Sequence, residues 1–257
     1  MKTSAKCTIL KNTAKNVMAG KYYFAIMALL FAGLISILFN RFTYNLNRSI
    51  CLTLIDLLKL SASSVGIIIL SYLLPFLLSI VLNVIHLGIC LFFLNLTTNH
   101  PFYTFDLTYG YFHDFGKSLR LSGVLTLLSF LCYLPADVYL DLRDQGFQLN
   151  STELLLFGAI QLLLIAIYLP ISLALSQSYY VMLDYPELST KEILRKSVQI
   201  MKGKKKQLFY VRLSFLPLFV MCLLSCGIGL FWLIPYYNVT MALYYLDVMK
   251  PTDPLQQ

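Results

Sequence analysis

Six apolar stretches leave few folds open to this chain: Tyr22–Phe39, Val65–Leu96, Leu121–Leu134, Leu154–Leu175, Leu208–Cys226 and Gly227–Leu246. An α-helix crosses the hydrocarbon core of a bilayer with about 20 mostly apolar residues. Several stretches reach that length alone, and the others do so once interfacial aromatics are counted; the third is the shortest. A soluble domain carries roughly 25% charged residues. Here 12% of 257 residues are charged and 58% are hydrophobic. The expected fold is all-α: one integral membrane domain over residues 1–257, with about six transmembrane helices.

The first stretch follows a basic segment, as a signal peptide would. However, residues 1–21 are long for such a prelude, and no small-x-small cleavage site follows, since the chain continues into "FNRFTYN". An uncleaved first span is the expectation.

The net charge of +8 raises the question of a nucleic-acid partner, and the distribution of charge answers it. With six spans and the N-terminus inside, 16 of the 20 basic residues fall on the cytoplasmic side, leaving Arg41, Arg48, Lys59 and Arg143 outside. That asymmetry is the positive-inside pattern, so no nucleic-acid partner is needed to explain the charge. Both termini are expected in the cytoplasm. The six cysteines form no recognisable framework and are expected to pack as small apolar residues. Asn-x-Ser/Thr matches at Asn47, Asn95, Asn150 and Asn238 carry little weight, because two of them sit in expected spans.

Ahead of the first span, Cys7, Leu10, Ala14, Val17 and Met18 recur at helical spacing with Lys11 and Lys15 on the flank. This predicts a basic amphipathic helix at the membrane surface, closed by Gly20-Lys21. The arrangement recurs as an aromatic segment before Gly116-Lys117, and as an amphipathic segment before Gly203-Lys204. In the last copy Ser189 and Glu192 have capping-box spacing. Ile193, Leu194, Val198 and Met201 are placed on one face, and Lys191, Arg195 and Lys202 on another. Three hairpin repeats follow as a hypothesis: surface helix, Gly-Lys elbow, span, outer loop, span. Glycine suits an elbow because helices often end on a left-handed residue. The competing reading is that Gly-Lys is common at positively charged boundaries.

From Leu173 onward, "LDYPELS", "SVQIMKGKK", "LSF", "GIGLFWLIPY" and "ALYYLD" follow in an order that resembles a bacterial membrane-protein family described only as domain of unknown function 975. "HLGICLFFLNL" and "YGYFHDFGKSL" are similar to that family's middle region, whereas the N-terminal third is similar in style alone. The resemblance implies a multi-pass protein of a bacterial cell membrane with cytoplasmic termini, and it implies no activity. The chain also looks distantly like the membrane domain of some glycerophosphodiester phosphodiesterases, without their catalytic domain.

No HExxH, P-loop, GxSxG or CxxC pattern is present, so no enzyme, cofactor or metal site is expected. His86 and Asn83 form a candidate intramembrane polar site, because polar residues in spans are functional candidates. Interhelical hydrogen bonding is the plainer use of such residues. Pro75, Pro170, Pro217 and Pro235 bend their spans. The clearest interaction surface is basic: Lys191, Arg195, Lys196, Lys202, Lys204, Lys205 and Lys206. Anionic lipid headgroups are its expected partner. The preferred role is non-enzymatic action on lipids or other membrane proteins, as scaffold, envelope-stress or immunity factor. The alternative is a small-molecule or lipid transporter with a cavity between kinked helices.

Overall fold

The computed structural model describes residues 2–58, 65–144 and 150–249, and every regular element among them is helical. The first third holds α1 (Lys2–Met18), α2 (Tyr22–Leu58), α3 (Val65–Asn83) and α4 (Ile85–Thr98). A 3-10 turn (Thr104–Thr108) and the single turn α5 (Tyr109–Phe112) lead into α6 (Phe115–Asp144), α7 (Ser151–Leu175) and α8 (Ser178–Asp184). The last third holds α9 (Thr190–Ile200), α10 (Lys205–Leu213), α11 (Leu216–Leu224) and α12 (Leu230–Met249). Lys59 and Lys250, both used in the charge argument, lie outside the described residues.

Among the described residues, five helical stretches are long and apolar enough to cross a membrane: Tyr22–Leu54, Ile69–Thr98, Phe115–Leu140, Ser151–Asp184 and Lys205–Leu224. Their outer surfaces are apolar and exposed. On α7, Leu155, Leu156, Leu162 and Leu163 all face outward, as do Met27, Phe31, Leu34 and Leu38 on α2. Water-soluble proteins rarely expose apolar patches of that extent, whereas a bilayer accepts them. The third stretch is longer than its apolar run implied, because α6 starts at Phe115 and continues past Asp137. The expected outer loop after Phe39 is likewise helical as far as Leu58.

The sixth apolar stretch behaves differently. α12 carries Asn238, Asp247 and four tyrosines, and it falls short of the apolarity a lipid-facing span needs. α12 lies against α1, α2, α4 and α11; Asp247 is paired there with Lys6, and Asn238 Nδ2 donates back to the Ile234 carbonyl of the same helix at 2.9 Å. Tyr236, Val239, Thr240, Met241, Ala242, Tyr244, Tyr245 and Val248 are all buried, and Thr240 donates its hydroxyl to the Tyr236 carbonyl at 2.8 Å. α12 is thus the core of the molecule. The apolar stripe of α1 faces protein as well: Cys7, Leu10, Ala14 and Met18 are buried, while α1 packs on α12 and α10. α2 buries a stripe of small residues, Ala25, Ala28 and Ala32, and packs on α3 and α12. Small side chains let helix backbones approach closely where lipid gives no hydrophobic drive to association.

The three elbows share a contact. Lys21 Nζ donates to Asn99 Oδ1 at 2.9 Å, Lys117 Nζ donates to the Pro186 carbonyl, and Lys204 Nζ donates to the Val248 carbonyl at 3.0 Å. Each acceptor lies at or just beyond the end of the helix that returns in the same hairpin: α3–α4, α7–α8 and α12. The pre-elbow segments follow a cyclic order. The 3-10 turn and α5 pack on α4, α9 packs on α8 and α7, and α1 packs on α12. Lys6 and Asp247, 2.7 Å apart, tie the first element to the last. Two departures from the expected repeat are clear. The middle unit has only the 3-10 turn and α5 where a surface helix was expected. Gly20 and Gly203 are left-handed (φ +75° and +77°), but at the middle elbow Asp114 takes that role (φ 46°) and Gly116 is helical.

Candidate functional site

α9 is the most strongly amphipathic of the helices, and its start is fixed locally. Glu192 N donates to Ser189 Oγ, while Ser189 N donates back to Glu192 Oε2 at 2.8 Å. The Ser189 hydroxyl also donates to that carboxylate at 2.7 Å. These bonds hold the Glu192 carboxyl below its ordinary pKa. Ile193, Ser197 and Met201 form the inner face, fully buried, and Ser197 Oγ donates to the Ala174 carbonyl at 2.9 Å. Val198, expected on that face, is exposed. Ser197 takes the central position because its hydroxyl satisfies a carbonyl at the end of α7, beside the break before α8.

The outer face divides the seven basic candidates. Lys191, Arg195, Lys202 and Lys206 are exposed, and none forms an ion pair among the described residues. Lys204 holds Val248, and the Lys196 ammonium sits over the Tyr185 ring. Lys205 is half-buried. Lys204 also accepts a hydrogen bond through its carbonyl, from Tyr244 Oη at 3.1 Å, so the elbow is fastened to α12 from both sides. A lysine run therefore contains two kinds of residue, one kind engaged with the protein and one facing outward.

Asn83 and His86 have different partners. Asn83 Nδ2 donates to Thr126 Oγ1 at 2.9 Å, joining α3 to α6. His86 lies past the helix break at Val84; it is exposed and stacks on Tyr179 with ring centroids 6.3 Å apart. Tyr111 Oη fills that break by donating to the carbonyls of Val81 and Leu82. Gln161, another polar span residue, donates to the Cys132 carbonyl at 3.1 Å. Cys7, Cys90, Cys132, Cys222 and Cys226 are all free thiols.

Open clefts among the described residues include three large enough to hold a ligand. A polar one of about 470 Å³ between α2, α3 and α6 is lined by Asn40, Thr43, Pro75 and Asp137, and Thr43 Oγ1 is buried there without a partner. One of about 430 Å³ separates α1 from α11 and α12 and presents Lys11 and Lys15 beside Trp232. Lys11 Nζ donates to the Ser214 carbonyl at 2.8 Å and lies 4.2 Å from the Phe215 ring centre; burial lowers its pKa. The third, about 360 Å³ and almost wholly apolar, lies between α10–α11 and α12. Sequence reasoning missed a set of aromatic doublets, Phe92-Phe93, Tyr179-Tyr180 and Tyr244-Tyr245, one near the end of each returning helix. Tyr180 and Tyr245 stack at 5.0 Å, and the Tyr245 hydroxyl donates to Asp184. The recurrence of two adjacent aromatics was the signal available in the sequence.

A family model described as "Protein of unknown function (DUF975)" matches residues 4–252, essentially the whole chain, so the relationship extends through the N-terminal third as well. No curated protein and no solved structure matches.

Proposed function

We propose that this chain, which belongs to the DUF975 family, is a non-enzymatic multi-pass protein of a bacterial cell membrane that engages anionic lipid headgroups at the cytoplasmic face. In this reading the five apolar stretches and α12 make six spans, and the three elbows and both termini share the cytoplasmic side. The protein then acts on membrane lipids or on other membrane proteins, as a scaffold, envelope-stress or immunity factor. The observation that carries the reading is the division of α9 and its elbow: a fully buried inner face, and Lys191, Arg195, Lys202 and Lys206 outward, none in an ion pair among the described residues although the Arg195 charge is felt by Glu192. Beside an anionic leaflet each such cation contributes about 1 kcal/mol, so four contribute about 4 kcal/mol before salt screening.

A ligand that binds only the folded state raises its stability. The test is therefore thermal unfolding of the full chain in nanodiscs, comparing phosphatidylcholine with and without phosphatidylglycerol. Anionic lipid should raise the Tm, and replacing the four outward cations by glutamine should remove most of the rise. An unchanged rise in that variant would count against the reading.

The polar cleft lined by Thr43 and Asp137 supports the second reading, a transporter of small molecules or lipids. Packing between the returning helices weighs on the other side, because Tyr180 and Tyr245 are stacked and buried between α8 and α12.

A further inference from the structure

The apolar groove has one charged group, and that group is incompletely satisfied. Arg212 closes α10 and lines the groove, and its Nε is buried without a hydrogen-bond partner. The remaining walls are apolar or aromatic, with Phe219, Leu230, Leu233 and Ile234 along the length. Phe219 and Ile234 are exposed at the rim, so the groove opens on the lipid-facing surface of α11 and α12. Arg212 lies seven residues past the start of α10, about 10 Å along a helix. A cation inside a span is costly to hold without a partner. A buried donor left unpaired adds to that cost.

We propose that this groove is a binding site for one anionic membrane lipid, with its phosphate on the Arg212 guanidinium and one acyl chain along Phe219, Leu230, Leu233 and Ile234. The charge complementarity decides the occupant. A guanidinium presents paired donors that match phosphate oxygens, and the adjoining walls are apolar or aromatic, with Tyr237 the one other residue there that carries a polar side-chain group. The volume of about 360 Å³ lies at the small end of the roughly 300–1,000 Å³ range of ligand pockets. It fits a chain segment rather than a whole diacyl lipid. The inference extends the lipid-engaging reading above from a diffuse basic surface to a specific site, and it rests on that reading.

The experiment uses the full chain in nanodiscs of phosphatidylcholine with a minority of phosphatidylglycerol, with retained lipid counted by native mass spectrometry. Wild type should retain phosphatidylglycerol above its share of the bilayer. Arg212→Gln should lower that retention about tenfold, the loss of one charge-assisted contact. Ile234→Trp, which adds bulk at an exposed rim position, should lower it with Arg212 intact, and it decides the matter if Arg212→Gln does not fold. Lys202→Gln with Lys206→Gln should leave retention unchanged while reducing the lipid-dependent rise in Tm, which separates this site from the α9 surface. Wild-type retention in a folded Arg212→Gln or in Ile234→Trp would overturn the site. So would equal retention of phosphatidylcholine.

Discussion

At the scale of single residues, neighbouring lysines have opposite roles. Lys204 donates to the Val248 carbonyl at the end of α12, whereas Lys202, two positions earlier, is exposed. A hydrogen bond from a charged donor to a helix-terminal carbonyl is worth about 1 kcal/mol when partly exposed. Lys204→Met should therefore lower the unfolding free energy by about 1 kcal/mol, while Lys202→Met should change it by less than about 0.5 kcal/mol. The elbow glycines divide in a similar way. Gly203 sits at φ +77°, where a side chain is strained, and Gly203→Ala should cost about 1 kcal/mol. Gly116 is in the first turn of α6, and a Cβ there meets nothing within 4 Å. Gly116→Ala should therefore be neutral or stabilising by up to about 1 kcal/mol. Unfolding in mixed micelles measures both pairs. The sequence shows four lysines in five residues and three Gly-Lys pairs. It does not show which lysine reaches a carbonyl, because that depends on where α12 ends in space.

At the scale of elements, α9 was legible in advance and α1 only half so. The Ser189-to-Glu192 spacing marks a helix start from local chemistry alone, and the structure has both halves of the capping box. Its pH dependence has a definite sign. The folded Glu192 carboxyl titrates below its ordinary value because Ser189 hydrogen bonds favour the anion. Its contribution is fully present above the ordinary carboxylate pKa of about 4.3, and it is lost as pH falls through the lower, folded value. Ser189→Ala should cost about 1 kcal/mol near neutral pH. The gap from wild type should narrow in acid, and a gap independent of pH would show that the carboxylate takes no part. For α1, spacing identified the buried stripe but not its neighbour. Lipid tails and protein interiors are equally apolar, so Cys7, Leu10, Ala14 and Met18 read as membrane-facing although they pack on α12 and α10. α12 illustrates the converse. Its tyrosines, Asn238 and Asp247 lower its apparent fitness as a span, yet neighbouring helices cover it.

At the scale of the whole molecule, the apolar runs announced the helical class. The cyclic order of contacts was not legible. It depends on α1 meeting α12 across nearly the full length of the chain, through Lys6 and Asp247. The candidate site was legible as a patch of charge but not in its division. The apolar groove was invisible, since Arg212 counts in sequence as one more boundary cation. In the proposed topology the three elbows stand together on the cytoplasmic side and the hairpin tips on the other. Side-specific labelling tests it most directly. In a chain whose native cysteines are replaced, Lys202→Cys and Asn150→Cys are treated singly with a membrane-impermeant thiol reagent, in intact cells and in inverted vesicles. Position 150 should be labelled only from the outside and position 202 only from the cytoplasmic side. Labelling of both positions from the same side would contradict it.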